Sequence, residues 1–381
     1  MKLKMILLAT AVALLTACSE GNAPVNTDNE QSDSITSTTE KTQQTENSEE
    51  ETEEPPAEAS SAVDFEYELY EDDNFGTAVM ITGFTGLSTE VVIPGEIEGC
   101  PVRAIGKFVF SKREDITSVT IPESVSEIGQ GAFRNTGLTS VTIPAGVISV
   151  GRNAFEGCDV LTDLAISYGV SVIEDYAFKD CTGLTSVTFP ASVTTIGDDA
   201  FENCTGLTSV TIPDGVTYLS GFSGCSGLTS VNIPDSVTEI GIGAFSGCTG
   251  LTSVTVPDGV TKIGRSAFEG CTGLTSFTIP YGVTEIRFFA FQGCTGLTSV
   301  DIPDSVTEIR ERAFNGCTGL TPVAIPASVT SIEEYAFGYY VELDRNDNVI
   351  SEEKLDIEIF CSSGSAAEQY AIENDISYTL I

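Results

Sequence analysis

Residues 248–270 read CTGLTSVTVPDGVTKIGRSAFEG, residues 271–293 CTGLTSFTIPYGVTEIRFFAFQG and residues 294–316 CTGLTSVDIPDSVTEIRERAFNG. One phrase is written three times with few changes, so reading one unit reads the fold. Aligned on its last phenylalanine, the chain gives Phe110, Phe133, Phe155, Phe178, Phe201, Phe222, Phe245, Phe268, Phe291, Phe314 and Phe337, eleven units mostly 23 residues apart. Two spacings are irregular. Phe133 to Phe155 is one residue short, where RNTGL lacks the cysteine; Phe201 to Phe222 is two short, where YLSGF replaces EIGIGAF.

Within a unit the LTSVTIP stretch alternates. After Cys181, the apolar Leu184, Val187 and Phe189 face inward, while Ser186 and Thr188 point out from a short strand. Pro190 has no N–H for a ladder and ends the strand. Pro followed by Asp-Gly, Asp-Ser or Ala-Ser is turn chemistry. VTEIG is a second extended piece with Val and Ile inward, and AFEGC packs Ala and Phe under the coil before a closing glycine. One unit cannot bury its apolar face, but stacked neighbours can. Stacked at about 4.8 Å, eleven coils make a body about 50 Å long. The expected fold is a right-handed, gently curved, mainly β repeat solenoid with parallel sheets.

Composition narrows the chemistry. The 381 residues carry a net charge of −39, with no histidine and no tryptophan. Without histidine, serine–histidine and cysteine–histidine catalysis and histidine-ligated zinc are excluded. A surface this acidic repels nucleic acid and anionic lipid headgroups. No enzyme activity and no cofactor are expected.

The start of the chain reads as an address. Lys2 and Lys4 precede an apolar run from Met5 to Leu15, too short for a comfortable membrane span but right for an export signal. LLTAC, ending at Cys18, resembles the lipobox of bacterial lipoproteins, which implies lipid on Cys18 as the only membrane attachment. Residues 19–62 are Ser, Thr, Gln, Asn and Glu with little to bury, and are expected to form a disordered acidic tether. The expected organisation is a signal at 1–18, the tether at 19–62, an N-terminal cap at 63–100, repeats at 101–340, and an insertion loop with a C-terminal cap at 341–381.

The consensus LTSVTIPxxVTxIGxxAFxxCTG resembles the BspA-like leucine-rich repeats of bacterial surface proteins, over residues 63–381. AVMITGFTGLSTEVVIPGEIEGCPVRAIG resembles that family's opening segment, and IEIFCSSGSAAEQYAIENDISYTLI its closing strand, short helix and strand. Helix propensity across Ala366 to Glu373 agrees independently. The resemblance implies surface exposure and a binding role, in some members adhesion, and carries over no ligand and no catalytic residue.

Four features are candidates for a site. Cys158, Cys181, Cys204, Cys225, Cys248, Cys271, Cys294 and Cys317 share one column and read as small buried residues, since in-register side chains point the same way and do not converge for a disulfide. The outward Ser/Thr positions form a flat hydroxyl face. Asp214, Asp235, Asp258 and Asp304 follow the turn proline, where aspartate is ordinary. The variable positions before AF change character late in the chain, at Arg265, Arg287, Phe288, Phe289, Arg310 and Arg312, with Tyr281 in the same units. Guanidinium groups beside aromatics favour binding hot spots. The alternative is a solvated ridge paired with Glu285, Glu308 and Glu311. The reading is a lipid-anchored, monomeric surface protein binding an extracellular protein rather than a glycan; a spacer without a tight ligand is the alternative.

Overall fold

The computed structural model describes residues 62–73, 76–343 and 349–381. The export signal, Cys18 and the tether lie outside the described residues.

Each repeat makes one coil with two short strands. The short strands Ser118–Thr120, Ser140–Ile143, Asp163–Ile166, Ser186–Thr188, Ser209–Thr211 and Ser230–Asn232 pair in parallel, one coil to the next, with Glu90–Val92 at the N-terminal edge. Register is strict: Ser186 faces Ser209, Val187 faces Val210 and Thr188 faces Thr211. The second ladder runs through dipeptides such as Glu127–Ile128, Ser149–Val150, Val172–Ile173 and Thr195–Ile196. It breaks after Thr195–Ile196 and resumes at Tyr218–Leu219, across the coil shortened by two residues. The solenoid has about 13 turns. The caps thus extend the stack beyond the eleven phenylalanine units, with Glu358–Cys361 and Ser377–Leu380 as the last rungs on the hydroxyl side.

The repeated phenylalanine becomes a continuous spine. All eleven rings are buried, and neighbouring rings stack with centroids 4.8–6.0 Å apart and planes within 15°. Parallel coils leave no other choice, because equivalent side chains must lie one above another. Phe84 and Phe65 prolong the spine at the N-terminal end. Tyr370 closes the other end, its ring edge-on to Phe337.

Threonines flanking the strands clip coil to coil. Thr208 Oγ1 donates to the Thr185 carbonyl and Thr261 Oγ1 to that of Thr238, and the pattern recurs at Thr275, Thr298, Thr307 and Thr330. Glycine is required where coils nearly touch. A Cβ on Gly146 would lie 2.1 Å from the Glu123 carbonyl oxygen, closer than any side chain tolerates.

The C-terminal helix occupies Ala366–Glu373, where propensity placed it, with Ser365 Oγ accepting the Glu368 N–H. The insertion departs from expectation. It is a β-hairpin and not a loop, Tyr339–Leu343 pairing antiparallel with Val349–Lys354. Val341 anchors it in the core, and the Lys354 ammonium bonds the Asp375 carboxylate at 2.8 Å.

Candidate functional site

The hydroxyl face is exposed along its length, with Ser186 and Thr188 outward and Val187 beneath. Its relief is slight. A shallow depression lies where Ala165 replaces the usual threonine, rimmed by Ser140, Thr142, Asp163, Ser186 and Thr188. Asp163 accepts from Thr162 Oγ1 at 2.9 Å. Asp214, Asp235, Asp258 and Asp304 sit exposed in their turns.

The cysteine column is buried and every thiol in it is free. Each Sγ donates to the carbonyl of the spine phenylalanine one coil back, as Cys271 does to Phe245 and Cys294 to Phe268, both at 3.1 Å. The same Phe245 oxygen accepts the Cys248 N–H. Burial pushes the thiols of Cys204, Cys248 and Cys294 up to about 12, so at neutral pH they stay protonated and are poor nucleophiles. Thr136 takes this column in the coil that lacks a cysteine, its hydroxyl donating to the Phe133 carbonyl at 2.9 Å.

The late arginines lie together, but in different situations. Arg310 is clamped by three carboxylates: Glu285, Glu308 and Glu333. Arg312 is 6% exposed, with its guanidinium between the rings of Phe289 and Tyr335 at 5.9 and 5.6 Å. Arg265 stacks on the other face of the series, 4.9 Å from the Phe289 centroid. Phe289, Arg312 and Tyr335 all have φ between 55° and 60°, a left-handed geometry unfavourable by about 1–2 kcal/mol for bulky residues. The same backbone recurs at Phe108, Asn153, Tyr176, Asp199 and Ser266, so the coil itself imposes it. Arg287 reaches Glu285 only at 3.7 Å, and Phe288 is exposed beside Arg310. Tyr281 is 71% exposed in the turn after Pro280, with no hydrogen bond, ion pair or ring contact to the arginines among the described residues. Arg265, Arg287 and Phe288 are therefore the accessible members; Arg310 and Arg312 are built into the coil.

Two columns organise this surface. Apart from the shortened coil of Phe222, the residue three before each spine phenylalanine forms a shoulder: Lys107, Gln130, Arg152, Asp175, Asp198, Ile242, Arg265, Phe288, Glu311 and Glu334. The residue four before forms a floor: Gly106, Gly129, Gly151, Glu174, Gly197, Gly241, Gly264, Arg287, Arg310 and Glu333. Where the floor is Gly129 and Gly151, a groove opens between shoulder and strand. This groove, across the first coils, is lined by Lys107, Glu127, Gln130, Ile148, Arg152 and Glu174. Sequence reading passed over it, although Lys107 and Arg152 occupy the same column as Arg265.

Among the described residues, no helix is long and apolar enough to cross a membrane. The profile of the BspA type leucine rich repeat region matches residues 103–221 and 220–344, in six copies. A leucine-rich repeat protein of Bacteroides ovatus is 24% identical, over 84% of this chain and 98% of its own, with a TM-score of 0.53. A leucine rich cell surface protein of Faecalibacterium prausnitzii is 30% identical, over 80% of this chain and 95% of its own, with a TM-score of 0.45. No curated protein matches. With the spine, the paired ladders and this profile in agreement, the chain belongs to the BspA type leucine-rich repeat family.

Proposed function

We propose that this chain is a non-catalytic binding protein of the bacterial surface, held to the membrane by lipid on Cys18, whose solenoid presents a site for an extracellular protein. The observation that carries the reading is a contrast between columns. Spine, cysteine and clip positions repeat almost without change, while ten shoulder residues include cations, anions, Gln130, Ile242 and Phe288. A scaffold whose core is indifferent to its exposed columns leaves those columns free for recognition. The lipobox at Cys18 and the acidic tether support display away from the membrane.

A spacer without a ligand is the second reading, favoured by the clamping of Arg310 and the burial of Arg312. The test places the full chain on immobilised extracellular matrix proteins and glycans at two salt concentrations, beside an Arg265→Glu/Arg287→Glu variant. Saturable capture by a protein supports a binding module, and its loss in the variant assigns the late coils. Capture by no member of the panel supports the spacer.

A further inference from the structure

The fold leaves a series of backbone amides unpaired, and the chain's own carboxylates show what they accept. In the shoulder column the Arg152 N–H donates to Glu174 Oε2 at 2.9 Å, and the Glu311 N–H donates to Glu333 Oε2 at 2.9 Å. Both carboxylates come from the floor position of the following coil. Where that position is Gly129 or Gly151, no carboxylate arrives. The N–H groups of Lys107 and Gln130 then donate to no protein atom among the described residues. Amide donors beside a cation suit a carboxylate, because charge-assisted hydrogen bonds are about twice as strong as neutral ones.

These two open amides belong to the groove across the first coils. It ends at Glu174, whose second carboxylate oxygen accepts Ser149 Oγ at 3.1 Å. Lys107 and Arg152 flank it without an ion pair among the described residues, whereas Arg113, Arg134 and Lys179 nearby are paired. In a chain of net charge −39, two cations that no carboxylate contacts directly leave room for an anion between them. The Arg152 guanidinium is held over the Tyr176 ring at 5.2 Å. The late coils differ, since there Glu333 already fills the amide site and the arginine is neutralised.

The groove is selective about the anion. Lys107 and Arg152 are balanced by Glu127 and Glu174, so the ionised side chains sum to zero and a polyanion gains nothing from the field. Ile148, 60% exposed on the wall, offers an apolar contact. We propose that this groove binds an extended protein segment through one Asp or Glu side chain. Its carboxylate takes the Lys107 and Gln130 amides between the two cations, and an apolar neighbour rests on Ile148. Glu174 is the intramolecular picture of that contact, one coil along. The inference rests on the binding-module reading and names a site and a partner chemistry for it.

The test is a titration of the ¹⁵N-labelled full chain with the capped peptide Ac-Gly-Ile-Glu-Ile-Gly-amide and with its Glu→Gln counterpart. The Lys107 and Gln130 amide resonances should shift saturably with the first peptide and not with the second. Lys107→Glu/Arg152→Glu should raise Kd by at least about tenfold. If that variant loses its native spectrum, Lys107→Gln/Arg152→Gln replaces it. Equal response to both peptides, no response at millimolar peptide, or undiminished binding by a folded variant overturns the site. The immobilised panel separates the two failures. Capture by wild type and double variant alike overturns this groove and leaves the binding module standing. Peptide shifts without capture on the panel support the groove and count against an extracellular matrix partner.

Discussion

Tyr370 shows how one side chain can substitute for a whole coil. Inside the stack each spine phenylalanine donates its N–H to the carbonyl just before the next spine phenylalanine, as Phe314 does to Ala336 and Phe201 to Gly221. Where the next coil carries the column cysteine, its carbonyl also accepts that thiol, as Phe291 does from Cys317. No spine phenylalanine follows Phe337, and the Tyr370 hydroxyl fills both roles, accepting its N–H at 3.0 Å and donating to its carbonyl at 2.9 Å. Tyr370→Phe keeps the ring and strands two buried backbone groups, so it should destabilise by about 1–3 kcal/mol. Hydrogen exchange should accelerate first at Phe337; unchanged protection there would refute the capping role. The cysteine column gives a second prediction at this scale. An unfolded thiol ionises near the ordinary 9.0, while Cys204, Cys248 and Cys294 hold their protons up to about 12. Below pH 9 both states are protonated and the groups are silent. Between 9 and 12 the unfolded state releases protons first, so stability falls as pH rises. Maleimide at pH 7.5 should label the native chain only as fast as it unfolds, and prompt labelling of this column would contradict the burial.

Among the elements, the two-residue strands of the second ladder gain side-chain ties beside their backbone pairing. Arg310 joins three successive coils through Glu285, Glu308 and Glu333. Arg310→Ala leaves these carboxylates facing one another, so Tm should drop, and the drop should shrink in 1 M salt as the repulsion is screened. A salt-independent loss would point to packing instead. The sequence made the spine, the cysteine column and the hydroxyl face legible, because each is a single letter recurring at a fixed interval. Arg312 was misleading for a physical reason: burial follows from Phe289 one coil below and Tyr335 one coil above, and only the stack brings these together. The insertion hides a hairpin because Val341 has no repeat column to align with. The open amides of Lys107 and Gln130 were invisible in a stronger sense. Backbone donors have no letter, and only Glu174 and Glu333, read as replacements for glycine, carry their trace.

For the molecule as a whole, charge is distributed unevenly along a continuous core. No Lys or Arg occurs between Lys179 and Lys262, a stretch containing Asp198, Asp199, Glu202, Asp214, Asp235, Glu239 and Asp258. Like charges on adjacent coils repel over about 10 Å at 0.1 M salt. Raising salt from 10 mM to 0.5 M should therefore raise Tm, with the largest gain in exchange protection in these middle coils. A fall in Tm would mean that paired charges, not repulsion, dominate the balance.

The Tyr370 hydroxyl reads nothing of the coil it closes except a phenylalanine backbone that every coil possesses. Insertion or loss of whole 23-residue units, as recombination between near-identical gene segments produces, would present the same terminus to the same lid. Length is thus a heritable variable independent of fold, and a lineage could adjust the reach of this protein without redesigning either end. The groove at Lys107–Arg152 lies close to the opposite cap, outside the most uniform units, where such changes in copy number would leave it intact.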